Sequence, residues 1–210
     1  MKLIYIYIQL IFLLAAPALP GSLQQKGLDG GEKAIVDSRM TLGEATSGLK
    51  IPSYIRKNLS LVNVNYYSFD GKLHEGQVLI RTDLAAEIQD IFREIQESRF
   101  PIAKVVPVVK YSWSDSLSMA DNNTSAFNYR VVKGTKILSA HSTGRAIDIN
   151  PIQNPQIRKG KASPPGSKYD TKAPGTITPS SAVVKAFSKR GWKWGATWRS
   201  TKDYQHFEKK

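Results

Sequence analysis

The amino-acid sequence predicts an α+β fold, a single domain with a small antiparallel sheet and flanking helices. The chain has 210 residues and is 41% hydrophobic, which suits one globular domain with a sizeable core. Apolar and polar residues alternate over residues 59–69, and Asp70-Gly71 then gives a strong hairpin signal before a second strand at residues 77–80. Apolar residues recur at helical spacing over residues 83–98. The sequence shows no internal repeat.

Turn and cap residues set the expected bounds of the next elements. Thr82 is a candidate N-cap for the first helix, and Pro101 ends that helix. Residues 102–109 are largely apolar and predict a buried strand, whereas residues 111–128 are polar and predict a loop. A short strand is expected over residues 130–132.

The last third of the chain mixes irregular and regular segments. Residues 151–178 are rich in proline, glycine and lysine and predict a long irregular loop, a kind of segment that is usually functional inside a domain. Ser180 is expected to cap a second helix over residues 181–190, which Gly191 ends. The aromatic stretch over residues 192–207 is expected to fold back as strands.

The N-terminal residues predict an export signal. Lys2 gives a positive start, residues 3–16 form an apolar run, and Ala16-Pro17-Ala18 offers small residues near a cleavage point. An uncleaved membrane anchor is the alternative. Export would place the protein in the periplasm or cell envelope. The expected organisation is a signal peptide over residues 1–20, a flexible lead-in over residues 21–50 that is ordered near residues 42–49, and one domain over residues 51–210.

Charge and cysteine content narrow the function classes. The formal net charge is +13, from 30 basic and 17 acidic residues, so we expect attraction to anionic cell-envelope polymers. Nucleic acid is not an expected partner, because the basic residues form no stripe and no nucleic-acid-binding motif. The chain has no cysteine, which excludes disulfides and thiolate metal ligands. We expect a monomer.

Two of the three histidines lie near carboxylates at metal-ligand spacing, His141 with Asp148 and His206 with Asp203. Two imidazoles and one carboxylate suit a catalytic zinc, which takes three protein ligands and keeps a fourth position for water. A second carboxylate beside that water would accept its proton. The third histidine, His74, has no such companion nearby in the sequence, and we expect it in a turn or at the surface.

Strand periodicity places some of these groups and leaves one choice open. Alternation over residues 145–150 directs Asp148 away from the apolar face of the strand. At the C-terminus, His206 and Glu208 share one strand face, and Asp203 joins them only if a turn or bulge intervenes. Spacing alone therefore leaves both Asp203 and Glu208 open as the base.

The same two segments match a known family. The matching motif positions are Ser139, His141, Gly144, Ala146, Asp148, Asp203 and His206, and the nearest branch also shares residues 127–130, 149–151, 154–155 and 191–195 and Trp198. Over residues 40–208 the sequence resembles the zinc D-Ala-D-Ala metallopeptidases. That family comprises the vancomycin-resistance D,D-carboxypeptidases and D,D-dipeptidases and the L-alanyl-D-glutamate endopeptidases of phage lysins. The resemblance implies a Hedgehog/D,D-peptidase-like fold.

The resemblance also implies roles for individual residues. It implies Zn2+ on His141, Asp148 and His206. Asp203 would be the general base and then the general acid, and Arg130 would bind the polarised carbonyl oxygen. Apart from the resemblance, Ser139 and Trp198 are candidates to contact the substrate or support the zinc ligands. Ser139 could instead be a turn hydroxyl, and Trp192, Trp194 and Trp198 either wall the cleft or pack in the core.

We therefore expect hydrolysis of a peptide bond in the peptidoglycan stem peptide. D-Ala-D-Ala carboxypeptidase ranks first, because trimming stems suits an exported cellular enzyme better than dismantling the wall. L-alanyl-D-glutamate endopeptidase is the alternative, because the shorter Asp203 is similar to that branch, whereas D,D-dipeptidases carry Glu at this position. A non-catalytic wall-binding module is a further alternative, and the intact ligand set argues against it. A nuclease is disfavoured because no phosphate-cradling loop is present.

Overall fold

The structure is a computed structural model that describes residues 33–132 and 134–210. The predicted export signal lies outside the described residues. The α-helices within them are Leu42–Ala45 (α1), Ser53–Arg56 (α2), Ala85–Glu97 (α3), Asp115–Ala120 (α4) and Ala182–Ser188 (α5). The strands are Ile35–Val36 (β1), Leu59–Tyr67 (β2), Leu73–Arg81 (β3), Lys104–Val105 (β4), Asn123–Thr124 (β5), Ala146–Asp148 (β6), Gln156–Arg158 (β7), Lys161–Ser163 (β8), Lys193–Trp194 (β9), Thr201–Asp203 (β10) and His206–Glu208 (β11). Short 3-10 helices cover Thr82–Leu84, Val108–Tyr111, Ala140–Thr143 and Gly195–Thr197.

The predicted hairpin (β2 and β3) and the predicted helix α3 pack together in the main core. β2 and β3 pair antiparallel over their whole length, and Gly71 provides the left-handed residue (φ +76) of the connecting turn. The apolar stripe of α3 packs against this hairpin and is fully buried at Ile88, Ile91, Phe92 and Ile95. Burial of each such side chain contributes about 1.5–3 kcal/mol, so this stripe fixes the helix on the sheet.

Two small sheets complete the domain. One has the strand order β6-β11-β9 and the other the order β10-β7-β8, and all their pairings are antiparallel. The central strand β11 places Phe207 in the core, where its ring stacks on Phe187 at 4.3 Å and on Trp194 at 6.2 Å. This packing anchors β11 while the alternate side chains of the strand face the other way.

The α+β class and the single domain are confirmed, but the sheets differ from the expectation of one small antiparallel sheet. The strands divide into three three-stranded sheets and one pair. β1 runs parallel to β3, and β4 runs parallel to β5. β1 and α1 lie in the segment assigned to the lead-in. α1 falls within residues 42–49, the part of that segment expected to be ordered, and its Ala45 is fully buried.

Two predictions in the middle of the chain are wrong. Residues 102–109 form only the two-residue strand β4 and a 3-10 helix, because Pro107 lacks an N–H for a ladder and begins the 3-10 helix instead. The predicted loop over residues 111–128 contains α4 and β5. Ser114 caps α4 by accepting a hydrogen bond from the Leu117 amide. The sequence signal for this helix is weak, because the helix has only six residues.

Three further boundaries differ. The loop over residues 151–178 contains the β7–β8 hairpin, whose turn has Lys159 and Gly160 both at positive φ (50 and 71), as in a type I′ turn. Ser181, rather than Ser180, caps α5. Thr82 begins a 3-10 helix and does not cap α3.

The expectation for His74 is also wrong. The residue lies within β3 and is 9% exposed. Its Nδ1 atom is 2.9 Å from a carboxylate oxygen of Asp37, and its Nε2 atom is 3.3 Å from one of Asp70. Asp37 also accepts a hydrogen bond from the Tyr66 hydroxyl. The parallel pairing of β1 with β3 supplies this distant carboxylate, which a search of nearby sequence does not detect.

In the part of the chain that the structure describes, every helix is too short or too polar to cross a bilayer.

Candidate metal centre

The register of two adjacent strands brings the first two candidate ligands together. β11 pairs antiparallel with β6 so that His206 lies directly opposite Asp148. Directly opposite residues share one face of a sheet, and this face is the one turned away from Phe207 and Ile147. The backbone of Asp148 is fixed on its other side, where its N–H donates to the Ser125 carbonyl at 2.8 Å.

The third candidate ligand comes from the 3-10 helix just before β6. The Ser139 hydroxyl caps this helix by accepting from the His141 amide at 3.3 Å, and Gly144 ends it in the left-handed region at φ +66. A side chain at Gly144 would meet the Arg81 amide nitrogen at 2.6 Å. The glycine therefore provides both the turn and the close approach to β3 that aim His141 at the β6–β11 pair.

The three side chains converge on one point in a buried place. His141, Asp148 and His206 each offer a ligand atom, and these atoms all lie within 4.8 Å of one another. His141 Nε2 is 3.2 Å from His206 Nδ1 and 3.3 Å from an Asp148 oxygen, while His206 Nδ1 is 2.9 Å from the other Asp148 oxygen. The group could hold a metal ion.

The outer nitrogens of both histidines are held in the way that metal ligands require. His141 Nδ1 donates to the Ala126 carbonyl oxygen at 2.5 Å, which leaves Nε2 as the lone-pair nitrogen facing the centre. His206 Nε2 donates to the Glu208 carboxylate at 3.4 Å, which leaves Nδ1 facing the centre once it loses its proton. Hydrogen bonds of this kind orient metal-binding histidines in proteins. The donor set and its supporting contacts therefore fit a divalent metal ion.

In the metal-free state, the candidate ligands shift one another's pKa values. Burial opposes ionisation of Asp148, but the two histidines beside it outweigh burial and lower its pKa. Burial likewise opposes the charged form of His206, yet hydrogen bonds to Asp148 and Glu208 raise its pKa to about 10. A metal ion that takes up these ligands must therefore displace a proton from His206.

Asp203 lies beside this group and is held differently. One of its carboxylate oxygens accepts from the Gln156 side-chain amide at 2.6 Å, and the other is buried with no hydrogen-bond partner among the described residues. Burial, with the nearby charge of Asp148, raises the pKa of Asp203 to about 6. Gly195 permits this placement, because a Cβ there would come within 2.8 Å of the Asp203 Cβ.

Glu208 and Asp203, the two carboxylates left open by spacing, occupy different positions. Glu208 is joined to the outer nitrogen of His206, and its hydrogen bond to that ring lowers its pKa. Asp203 sits at the turn between β10 and β11, as the sequence required for it to join His206.

Arg130 reaches the same cleft with its charge already paired. Its guanidinium contacts Asp115 at 3.0 Å, while its Nε is buried without a hydrogen-bond partner in the described structure. The Ser142 hydroxyl accepts from the Arg130 amide at 2.9 Å and donates to the Arg130 carbonyl at 2.5 Å. Ser142 thus ties the backbone of Arg130 to the 3-10 helix that carries His141.

The three C-terminal tryptophans separate into two groups. Trp198 lines the cleft, with its ring 5.1 Å from the His206 ring. Trp192 and Trp194 are buried in the core, where their indole nitrogens donate to Glu87 and to the Tyr204 carbonyl. Ser139 also lines the cleft while capping the His141 helix.

The candidate ligands open onto a cleft of about 400 Å³. The wall beside Asp203 is formed by Gln156, Arg158 and Ser163, which belong to the β7–β8 hairpin of the proline-rich segment. Asp115 and Arg130 also line the cleft. The proline-rich segment, which the sequence predicts to be functional, therefore lies at the cleft.

Sequence reasoning missed three residues that hold this site in shape, namely Asp115, Ser142 and Gln156. Asp115 follows the helix cap Ser114 in a segment expected to be a loop, and Gln156 lies in a strand that was expected to be irregular. Ser142 follows His141 directly, and only its full burial marks it as structural. A Ser-Asp pair opening a short helix was the one signal available for Asp115.

Comparison with known proteins bears on the C-terminal part of the chain. No curated protein sequence and no solved structure matched. The segment that does match a family model contains the three candidate ligands and Asp203, whereas Arg130 lies just before it. The resemblance found in the sequence is thereby confirmed for this segment: residues 133–209 match the family described as D-alanyl-D-alanine carboxypeptidase.

Proposed function

We propose that the protein is a zinc metallopeptidase that hydrolyses a peptide bond in the peptidoglycan stem, with D-Ala-D-Ala carboxypeptidase as the first choice. The observation that carries this proposal is the buried group of His141, Asp148 and His206 beside Asp203, in a segment that matches the carboxypeptidase family. A ligand set of two nitrogens and one oxygen with no sulfur suits catalytic zinc.

The zinc ion would be held by His141, Asp148 and His206. The hydrogen bonds to the Ala126 carbonyl and the Glu208 carboxylate would orient the two imidazole rings. When bound, zinc supplies a Lewis acid for the scissile carbonyl and a more acidic water. The three ligands are buried, which keeps their geometry fixed while the open side faces the cleft.

Asp203 would move the proton. Its Oδ2 atom is held by Gln156, so Oδ1 is the atom that takes a proton from the attacking water and returns it to the leaving amine. Burial raises the pKa of Asp203 to about 6, close to the neutral pH at which a general base works best. Glu208 is less suited to this role because it supports His206.

Arg130 would stabilise charge on the carbonyl oxygen. A guanidinium remains charged at all working pH values and presents several N–H donors in a plane. Asp115 holds one side of this plane, and Ser142 holds the backbone below it, so the group is fixed before substrate arrives. Donors that are fixed in advance stabilise developing negative charge most effectively.

The choice between the two stem bonds rests on different observations. The matched family is described as a D-alanyl-D-alanine carboxypeptidase, which favours release of the terminal D-alanine. The Asp at position 203 favours the L-alanyl-D-glutamate endopeptidase as second candidate. We further propose that the protein works outside the cytoplasm, where its net charge of +13 would favour contact with anionic wall polymers.

The deciding experiment incubates zinc-loaded protein with a pentapeptide stem and with intact sacculi, followed by mass spectrometry of the products. Free D-alanine supports the carboxypeptidase, and cleavage after L-alanine supports the endopeptidase. Asp203→Asn should retain zinc and lose about 10²–10⁴-fold in activity, whereas Glu208→Gln should be milder. Stoichiometric zinc without cleavage of either substrate would contradict the proposed activity and indicate a wall-binding module.

A further inference from the structure

The cleft face of the β10-β7-β8 sheet carries polar side chains beyond those near the candidate ligands. In antiparallel strands, directly opposite residues share a face, and so do residues two apart along one strand. The register sets Asp203 opposite Gln156. One step further out, it places Arg158 between Thr201 on one side and Lys161 on the other. Arg158 therefore lies on the same face as Gln156, and both line the cleft.

The two arginines of the cleft differ in their partners. Arg130 is paired with Asp115 at 3.0 Å. The side chain of Arg158 is exposed and makes no hydrogen bond or ion pair with the residues that the structure describes. Its neighbour Lys161 adds a second positive charge on the same face. Arg158 therefore brings an unpaired positive charge to this end of the cleft, and that charge is free to bind an anion from outside the chain.

The position of this charge relative to the reaction site is set by the strand. Arg158 lies two residues from Gln156, about 6.6 Å along β7, and Gln156 is hydrogen-bonded to Asp203. An arginine side chain spans such a distance and binds a carboxylate through two parallel hydrogen bonds. The guanidinium could therefore reach a substrate carboxylate carried by the carbon next to the scissile nitrogen, if that bond is attacked beside Asp203.

Both candidate stem bonds provide such a carboxylate. In D-Ala-D-Ala, the carbon next to the scissile nitrogen carries the terminal carboxylate. In L-Ala-D-Glu linked onward through the side chain, the same carbon carries a free α-carboxylate. We propose that Arg158 binds this carboxylate and so restricts cleavage to bonds followed by a free carboxylate. The inference rests on the proposed peptidase function and names its specificity-determining residue.

The test uses peptides that differ only in this carboxylate. Zinc-loaded full chain would receive N-acetyl-L-Lys-D-Ala-D-Ala or its C-terminal amide and, in a second arm, L-Ala-γ-D-Glu-L-Lys or its D-isoglutamine counterpart. We expect the wild type to favour the free acid by about 10- to 100-fold in kcat/KM, the size of a charge-assisted pair. The arm that shows this preference identifies the source of the carboxylate.

Substitutions at Arg158 then assign the preference. Arg158→Gln should remove the preference for the free acid, because kcat/KM for the acid falls while kcat/KM for the amide stays the same. Arg158→Lys should restore part of this preference. Lys159→Gln is the matched control, because it removes the same charge in the adjacent turn, outside the cleft lining. A preference that survives Arg158→Gln, or an equal loss on acid and amide, would overturn the assignment.

Failure of the proposed function has a separate signature. If neither peptide bond is cut, the proposed peptidase activity is wrong. Dissociation constants of the same peptides then still test whether Arg158 binds a carboxylate. Tighter binding of the acids that is lost in Arg158→Gln supports the carboxylate site. Equal binding of acids and amides overturns it.

Discussion

Gln156 donates its side-chain amide to one oxygen of the Asp203 carboxylate at 2.6 Å, and the two residues are directly opposite in the β7–β10 pair. This hydrogen bond lowers the pKa of Asp203 against the stronger effect of burial, which raises it to about 6. The contact therefore both orients the carboxylate and keeps its pKa near neutrality.

Replacement of Gln156 should shift the pH profile of the reaction. Gln156→Leu removes the amide donor, so the pKa of Asp203 should rise and the acidic limb of kcat/KM should move to higher pH. Activity at neutral pH should fall by about 10-fold and recover in part at alkaline pH. Ser163→Ala is the control, because Ser163 lies opposite Gln156 and lines the cleft without a hydrogen bond to Asp203. An unchanged profile in Gln156→Leu would contradict this role.

The strand alternation and short spacings of the sequence predicted much of this site. Asp148 and His206 lie on opposed positions of short strands, and a turn separates Asp203 from His206 as required. The sequence predicted the face on which each side chain lies, from the two-residue strand period, and the short turn between Asp203 and His206. It did not predict the pairing of β6 with β11, which joins Asp148 to His206 across 58 positions of sequence. Metal binding by these residues stays a prediction that the geometry favours.

The supporting contacts could not be predicted because they depend on pairing between distant segments. Gln156 meets Asp203 across 47 positions of sequence, through a three-residue strand inside a proline-rich segment. Asp115 meets Arg130 through a six-residue helix with one cap signal. His74 meets Asp37 through a parallel pairing of two residues. Such short elements carry too few residues for a period to be recognised.

Loss of the Glu208 carboxylate should weaken zinc binding without removing a ligand. Glu208→Gln replaces the charged acceptor of the His206 Nε2–H group, and loss of such a partner typically costs about 10–100-fold in metal affinity. His141→Ala should abolish stoichiometric binding, because it leaves two of the three candidate ligands. Competition with a chelator measures the zinc affinity of both variants. Glu97→Gln is the control, because Glu97 is an exposed residue. Wild-type zinc content in His141→Ala would show that the metal lies elsewhere.

Asp115 should matter to catalysis through Arg130. Arg130→Ala should lower turnover by about 10²–10³-fold, the usual cost of a lost oxyanion donor. Asp115→Ala should cost less, because it frees the guanidinium without removing it, and the double variant should be no worse than Arg130→Ala. Ser116→Ala tests whether any change at this wall of the cleft has the same effect. Additive losses in the double variant would show that the two residues act independently.

Asp203 should destabilise the metal-free protein at neutral pH. Its pKa is raised by burial from 3.8 to about 6 in the folded state, so the folded protein holds this proton more tightly than the unfolded chain does. The associated stability is fully present below the unfolded pKa and is lost as pH rises through the folded pKa. The asparagine in Asp203→Asn does not ionise. The unfolding temperature of this variant should therefore equal that of the wild type at pH 4 and exceed it at pH 8. The expected gain is about 2–4 °C for each kcal/mol of relieved charge burial. Thermal unfolding of both metal-free proteins across this range measures the difference, and a gap that is constant with pH would show that ionisation of Asp203 is not its cause.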